Sequence, residues 1–375
     1  MVITIIAHSS WGGSPGRRSA LHPPDIGPKG KRPRRPGAAK TPGAISPGCL
    51  IISIRDDARA AFAIRSAPGR AALRPCASPP AILYVQAMPA PRLLVMEGNS
   101  PETRAQHVAA GGTVASKGYA ELLSELLPGV VVDICFPGDP GANLPNGEAL
   151  EGYDGVAITG SGLHIYDAGP AVTRQIELTR AVLKSGTPVF GSCWGLQVLT
   201  VAAGGAVRKN PKGREIGFGR RIKLTEPGRK HPMYVGKPEV FNAPTVHLDE
   251  VETLAPGTTV LATNEVSDVQ SAELRCNGAV AWGVQYHPEY PLREIAAIVR
   301  RVGLRLIDEG FFLDTREIAS FAEDLVTLDR DPAEKRLAWR YGISKNVLDK
   351  KLRTGEVANW LQYQVLPTRA KRGRG

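Results

Sequence analysis

Pro188-Val-Phe-Gly-Ser-Cys-Trp-Gly-Leu-Gln197 decides the fold of this 375-residue chain. Val189 and Phe190 end an apolar run that reads as a buried strand, and Leu196-Gln-Val-Leu-Thr-Val-Ala-Ala203 continues as an apolar helix. Strand, sharp turn and helix leave Cys193 at the turn, in the position of a strained elbow that lifts a nucleophile above the edge of an α/β sheet. Gly191 and Gly195, two residues either side, keep side chains out of a turn where strand and helix backbones come close. The helix then points its amide donors and positive dipole end at the sulfur, which favours thiolate. The competing reading is a buried structural cysteine, a common fate of free thiols.

A second apolar strand, in Val280-Ala-Trp-Gly-Val-Gln-Tyr-His-Pro-Glu289, runs out into His287, Pro288 and Glu289. Proline holds the residue before it extended and cannot continue a ladder. His287 and Glu289 therefore lie on the same side of an extended segment. A carboxylate so placed takes one imidazole proton, fixes the tautomer and leaves the other nitrogen facing a thiol.

Together these motifs resemble the class I glutamine amidotransferases, whose triad is Cys, His and Glu. Gly191-Ser-Cys-Trp-Gly-Leu-Gln197 is similar to their nucleophile motif, and Gly283-Val-Gln-Tyr-His-Pro-Glu289 to their His-Pro-Glu motif. Gly155-Val-Ala-Ile-Thr-Gly-Ser-Gly162 looks like the strand and Gly-rich loop lining the glutamine pocket. His247-Leu-Asp-Glu-Val251 looks like a segment of the amidotransferase half of GMP synthetases. The resemblance covers residues 92 to 305. It implies a catalytic triad of Cys193, His287 and Glu289, with Gly160, Gly162, Trp194 and Gln197 binding substrate. It also implies an oxyanion held by the Trp194 amide and one from the 160–162 loop, and no metal or cofactor.

Along the chain, Leu93 to Met96, Val130 to Ile134, Val156 to Ile158 and Pro188 to Gly191 read as short apolar strands. They alternate with helices over Ala115 to Leu127 and Ala171 to Lys184. That alternation predicts a three-layer, doubly wound, largely parallel α/β sheet of flavodoxin-like type, with active residues at strand C-terminal ends. After the elbow helix, runs at Arg221 to Leu224, Val240 to His247, Thr259 to Ala262, Gln270 to Arg275 and Val280 to Tyr286 predict mixed or antiparallel pairing. Leu292 to Leu306 reads as a closing helix.

The net charge of +11 is concentrated at the ends: residues 1–87 carry 13 Lys and Arg against 3 Asp, and Arg369 to Arg374 adds +4. The body between is mildly acidic, which argues against nucleic acid as a partner. Residues 1–87, proline-rich and without apolar periodicity, read as a disordered basic leader or as sequence before a true start at Met88. A targeting segment is the third reading, although the charge follows the apolar run rather than preceding it. The 88–312 stretch reads as the amidotransferase domain and 313–375 as a helical C-terminal extension. In that extension, Ala338, Gly342 and Leu348 fall at helix-turn-helix spacing. Packing on the main domain, with Trp339 and Trp360 as anchors, is the favoured expectation. Five cysteines without paired spacing make neither a disulfide nor a zinc framework and predict a reduced, cytoplasmic protein with no membrane segment. Cys135 is expected in the core and Cys276, beside Asn277-Gly278 in a hairpin turn, half exposed.

The expected activity is release of glutamate and ammonia from glutamine. No Ser-Gly-Gly-x-Asp-Ser phosphate loop occurs in the sequence, so a complete GMP synthetase is not expected. The chain either delivers ammonia to a separate synthetase subunit or hydrolyses a γ-glutamyl peptide or conjugate outright. A catalytically silent regulatory or DNA-binding module is the remaining alternative. No oligomeric state follows from the sequence.

Overall fold

The computed structural model describes residues 89–147 and 149–374. The expectations for the leader and for a start at Met88 lie outside these residues. The first half alternates strand and helix: β1 (Arg92–Met96), α1 (Pro101–Ala109), α2 (Ala115–Leu126), β2 (Val131–Cys135), β3 (Gly155–Ile158), α3 (Pro170–Ser185), β4 (Val189–Ser192) and α4 (Trp194–Ala202). Strands then dominate: β5 (Ala206–Lys209), β6 (Glu215–Leu224), the short α5 (Glu226–Lys230), β7 (Val240–His247), β8 (Asp249–Thr253), β9 (Thr258–Thr263), β10 (Ser271–Cys276) and β11 (Ala279–Val284). Helices α6 (Leu292–Arg301), α7 (Gly303–Asp308) and α8 (Thr315–Arg330) follow. The short helices α9 (Lys335–Arg340), α10 (Lys345–Leu348), α11 (Lys350–Arg353), α12 (Gly355–Trp360) and α13 (Leu366–Lys371) complete the described chain.

One nine-stranded sheet runs in the order β2-β1-β3-β4-β11-β10-β9-β6-β7. The five strands from β2 to β11 are parallel to their neighbours, and the remaining pairings are antiparallel. Strands β5 and β8, neither of them among the strands expected from the sequence, form a separate antiparallel pair. The β10–β11 hairpin closes through Asn277 and Gly278, both at positive φ (52° and 80°), as a two-residue Asn-Gly turn requires.

Every residue of β3 and β4 is buried, as in a parallel sheet covered on both faces. Because side chains alternate, Leu94 and Met96 join one core with Val156, Ile158, Val172, Leu183 and Leu196, under α3 and α4. Leu93 and Val95 join the opposite core with Ala157, Phe190, Tyr119 and Leu123 of α2. Val357, Trp360, Leu361 and Val365 lie in that same core, so the C-terminal helices supply part of the second layer. Trp360 is fully buried, its ring 5.9 Å from that of Phe190.

Several expectations are corrected. Helix α1 was unread, although Ser100 caps it, Pro101 opens it and Glu102 sits in its first turn, the usual start signals. Strand β6 is longer than read because a bulge between Gly219 and Ile222 interrupts its alternation. The closing helix breaks at Val302, which leaves the helical region (φ −105°, ψ 15°), and Gly303 packs closely on Ile318 of α8. Trp339 is not an anchor: it is 80% exposed because Leu337 and Ala338 take the inward face of α9. A helix-turn-helix reading fails on length, since α10 spans a single turn. Arg369 and Arg374 pair with Asp154 at 2.8 and 3.4 Å, and Arg372 donates to the carbonyls of Tyr153 and of Ser185 at the end of α3.

Truncating Trp360 to Ala should cost about 3–5 kcal/mol by urea denaturation, whereas Trp339→Ala should stay within about 0.5 kcal/mol. Equal, small effects would show that the C-terminal segment does not cover the sheet.

Candidate active site

Cys193 adopts φ 53° and ψ −100° between β4 and α4, a conformation that costs a non-glycine residue on the order of 1–3 kcal/mol. The neighbourhood holds it there. Its amide donates to the Val284 carbonyl of β11 at 2.6 Å, and a Cβ on Gly191 would lie 2.5 Å from the Gly195 carbonyl carbon. The chain can therefore reverse from strand into helix only with glycine at Gly191. The Trp194 amide, first in α4, has no acceptor within the helix.

Strand β11 lies parallel to β4 with Val284 opposite Ser192, so both chains leave the sheet at the same edge. His287 follows three residues later, and its amide is anchored on the Pro244 carbonyl at 2.8 Å. Its Nδ1 meets Glu289 Oε1 at 2.7 Å, while Ser192 donates to Glu289 Oε2 at 2.9 Å. Tyr290 stacks on the imidazole, with centroids 4.0 Å apart and planes within 4°. Burial alone would lower the His287 pKa. The Glu289 charge, the neighbouring Cys193 and the hydrogen bond to Glu289 outweigh it and push the ring up to about 10, while the Cys193 thiol itself donates to the Val246 carbonyl at 3.5 Å. With Nδ1 committed to the carboxylate, Nε2 is the nitrogen left for the thiol.

The loop after β3 closes the site from the other side. A Cβ on Gly160 would lie 2.5 Å from His287 Cε1, so only glycine lets the loop touch the ring. Asn99 pins this loop: its Oδ1 accepts from the Gly162 amide at 3.1 Å and its Nδ2 donates to the Gly160 carbonyl at 3.3 Å. The Gly162 amide is thereby occupied, leaving Gly160 and Ser161 as the loop's candidate oxyanion donors. Gln175 donates to the Gly98 carbonyl at 3.1 Å and accepts from the Trp194 indole at 2.8 Å. The Trp194 ring is fully buried in the core, so only its backbone reaches the site. Asn99, Gln175 and Ser192 were not singled out from the sequence. Their only signal was polarity: Asn99 and Ser192 near strand ends, and Gln175 in an amphipathic helix that carries other polar residues.

Cys193, Gly162 and Gln197 line an open cavity of about 520 Å³, together with His247 and Asp249. Gly160 and His287 line a smaller cavity of about 40 Å³. His247 is held by Glu215 at 2.9 Å and by the Asp249 carbonyl at 3.0 Å, which orients the β7 end of the wall. Asp249 itself binds His164 at 2.7 Å and Tyr166 at 2.9 Å. Cys135, by contrast, is a core thiol that burial pushes up to about 12, and Cys276 is half-buried beside its turn.

The family model described as glutamine amidotransferase class-I matches residues 139–302, which contain all seven residues predicted for the site. The gamma-glutamyl-L-1-hydroxyisopropylamide hydrolase of a Pseudomonas species is 36% identical over 291 residues, covering 76% of this chain and 96% of that protein. The chain therefore belongs to the class-I glutamine amidotransferase family. The glutamine-hydrolysing GMP synthase of Porphyromonas gingivalis is 34% identical over 142 residues, 38% of this chain and 26% of that protein. A crystal structure of a glutamine amidotransferase from Thermotoga maritima shares the fold at TM-score 0.52 and 19% identity, covering 73% of this chain and 98% of that one. Among the described residues no helix is long and apolar enough to cross a membrane.

Followed by NMR in the folded protein, the His287 ring should stay protonated through neutral pH and titrate near about 10. Glu289→Gln removes a raising charge and should move that titration to lower pH. A ring already neutral at pH 7 would contradict the assigned electrostatics.

Proposed function

We propose that this protein is a cysteine hydrolase of γ-glutamyl amides, with Cys193 as nucleophile, His287 as acid and base, and Glu289 as the carboxylate that orients and charges the imidazole. The observation that carries this reading is the alignment of these groups at one sheet edge: a thiol on a strained elbow, a buried imidazole bonded at 2.7 Å to a carboxylate, and free amides at a helix N-terminus.

In this mechanism the Cys193 sulfur, its proton held by His287, attacks the side-chain carbonyl carbon. The oxyanion is stabilised by the Trp194 amide and one from Gly160 or Ser161. His287 gives its proton to the amide nitrogen, the C–N bond breaks and the amine departs, leaving a thioester on Cys193. Water then adds to the thioester carbon while His287 takes its proton. The C–S bond breaks, and glutamate leaves with the thiol restored. Gly162 and Gln197 line the side on which the glutamyl group lies, and the amine leaves on the His287 side.

Two observations favour a substituted γ-glutamyl amide over glutamine itself. The cavity beside Cys193, about 520 Å³, falls in the range that holds a whole small-molecule ligand. The 36% likeness to a γ-glutamyl amide hydrolase spans 76% of this chain, whereas the 34% likeness to the GMP synthase of Porphyromonas gingivalis spans 38% of it. Glutamine hydrolysis feeding a separate synthetase subunit is the second reading, favoured by the class-I amidotransferase match and by the segment from His247 to Val251.

Glutamate release from glutamine and from a panel of γ-glutamyl amides separates the two. Turnover of a substituted amide faster than glutamine, without a partner, supports the hydrolase. Preference for glutamine, raised by a co-purifying ATP-dependent partner, supports the amidotransferase. Cys193→Ala should lower kcat by at least about 10⁴-fold on either substrate, and retention of activity would remove Cys193 from the chemistry.

A further inference from the structure

Tyr286 immediately precedes His287 in the segment that leaves the sheet. Pairing of β11 with β4 and β10 ends at Val284. Beyond it, the Gln285 and His287 amides donate to the Gln270 and Pro244 carbonyls, both at 2.8 Å. Side chains alternate along such an extended segment, so Tyr286 enters the core that the C-terminal helices share while His287 turns to the site. The Tyr286 ring is fully buried, edge-on to Phe241 with centroids 5.6 Å apart. Its hydroxyl donates to Glu356 Oε1 of α12 at 2.8 Å and lies 3.0 Å from the Tyr234 hydroxyl. Tyr234 in turn meets Ser271, the residue opposite Val284 on β10.

The Glu356 carboxylate is itself held. Lys237 Nζ pairs with it at 2.8 Å and donates to the Leu352 carbonyl at 2.9 Å. Both charged side chains are sealed from water, Glu356 at 0% exposure and Lys237 at 4%. An acid in the first turn of α12 suits the helix dipole, and an ion pair would tie that helix to the fold. Neither accounts for complete burial, because the desolvation of a buried pair offsets much of its attraction and well-packed apolar residues serve stability at least as well. What the pair adds is a fixed, charged acceptor for a hydroxyl one residue from His287, and such charge-assisted bonds are short and strong. Glu356 lies outside residues 139–302, so the family match assigns it no role.

We infer that Glu356, held by Lys237, is a positioning residue for His287: through the Tyr286 hydroxyl it fixes the segment that carries the imidazole and Glu289. The inference rests on the hydrolase reading above and deepens it. Tyr286 and His287 share a peptide plane, so a shift of the tyrosine backbone carries the imidazole with it. The 2.7 Å contact with Glu289 and the approach to Cys193 tolerate little displacement. The C-terminal helices thereby serve the chemistry as well as the cover of the sheet.

The test measures kcat, KM, melting temperature and the His287 titration in the full chain, in Tyr286→Phe, and in Glu356→Gln combined with Lys237→Met. Tyr286→Phe keeps the ring and removes the bond. It should lower kcat on a γ-glutamyl amide by about 10–100-fold, with KM changed less than about threefold. His287 should then titrate below the wild-type value of about 10, because its contact with Glu289 loosens. The double variant removes both charges but keeps an amide oxygen for the Tyr286 hydroxyl, and it should retain most of the kcat that Tyr286→Phe loses. A Tyr286→Phe protein that melts earlier yet keeps wild-type kcat and histidine titration would overturn the inference and leave Glu356 a structural residue. A double variant as slow as Tyr286→Phe would also overturn it, since the loss would follow the charges and not the bond. A wild type silent on glutamine and on every γ-glutamyl amide removes the hydrolase reading, and the His287 titration then decides the inference alone.

Discussion

The site depends on the parallel pairing of β4 with β11. These strands are far apart in sequence, yet Gly191 lies opposite Gly283 and Ser192 opposite Val284. The pairing sends the two chains off the sheet side by side, so the Cys193 elbow and the turn carrying His287 and Glu289 share one edge. It also supplies the Val284 carbonyl that holds the Cys193 amide in a backbone conformation the residue would not adopt alone. Residues at the carboxyl ends of adjacent parallel strands converge because nothing continues beyond them, and the crevice they leave is where α/β proteins bind ligands.

Around that pairing, buried polar groups are satisfied in a chain. Tyr119 faces Ser192, Ser192 donates to Glu289, and Glu289 binds His287. Gln175 ties the Trp194 indole to the Gly98 backbone, and Asn99 ties the loop of Gly160 to the turn after β1. Each link would be costly to leave open in a dry interior, so the network fixes the geometry as well as the charge. The satisfaction is not complete: Thr245 Oγ1, Gln285 Nε2 and Arg301 Nε are buried without a hydrogen-bond partner among the described residues.

The C-terminal helices bear on the same sheet. Trp360 and Val365 cover the face opposite α3 and α4, and Arg369 and Arg374 clamp Asp154 at the start of β3. Loss of that layer would expose the strands that carry the site. Charge at the chain's end thus acts as internal fastening, which a count of lysines and arginines cannot reveal.

Local chemistry made much of this readable from sequence. Short apolar strands between amphipathic helices imply a covered sheet whatever their order, and Gly191-Ser-Cys-Trp-Gly195 and His287-Pro-Glu289 carry their geometry in adjacent residues. The start of helix α1 is equally legible through Ser100, Pro101 and Glu102. The tertiary structure decided what depends on distant partners. It brought β11 beside β4, turned the Trp194 ring inward and Trp339 outward, recruited Asn99 and Gln175 to hold the loop, and spent the Gly162 amide on Asn99. Periodicity and motif spacing report which backbone a segment prefers, but which neighbour satisfies a buried polar group is settled only when the chain closes on itself.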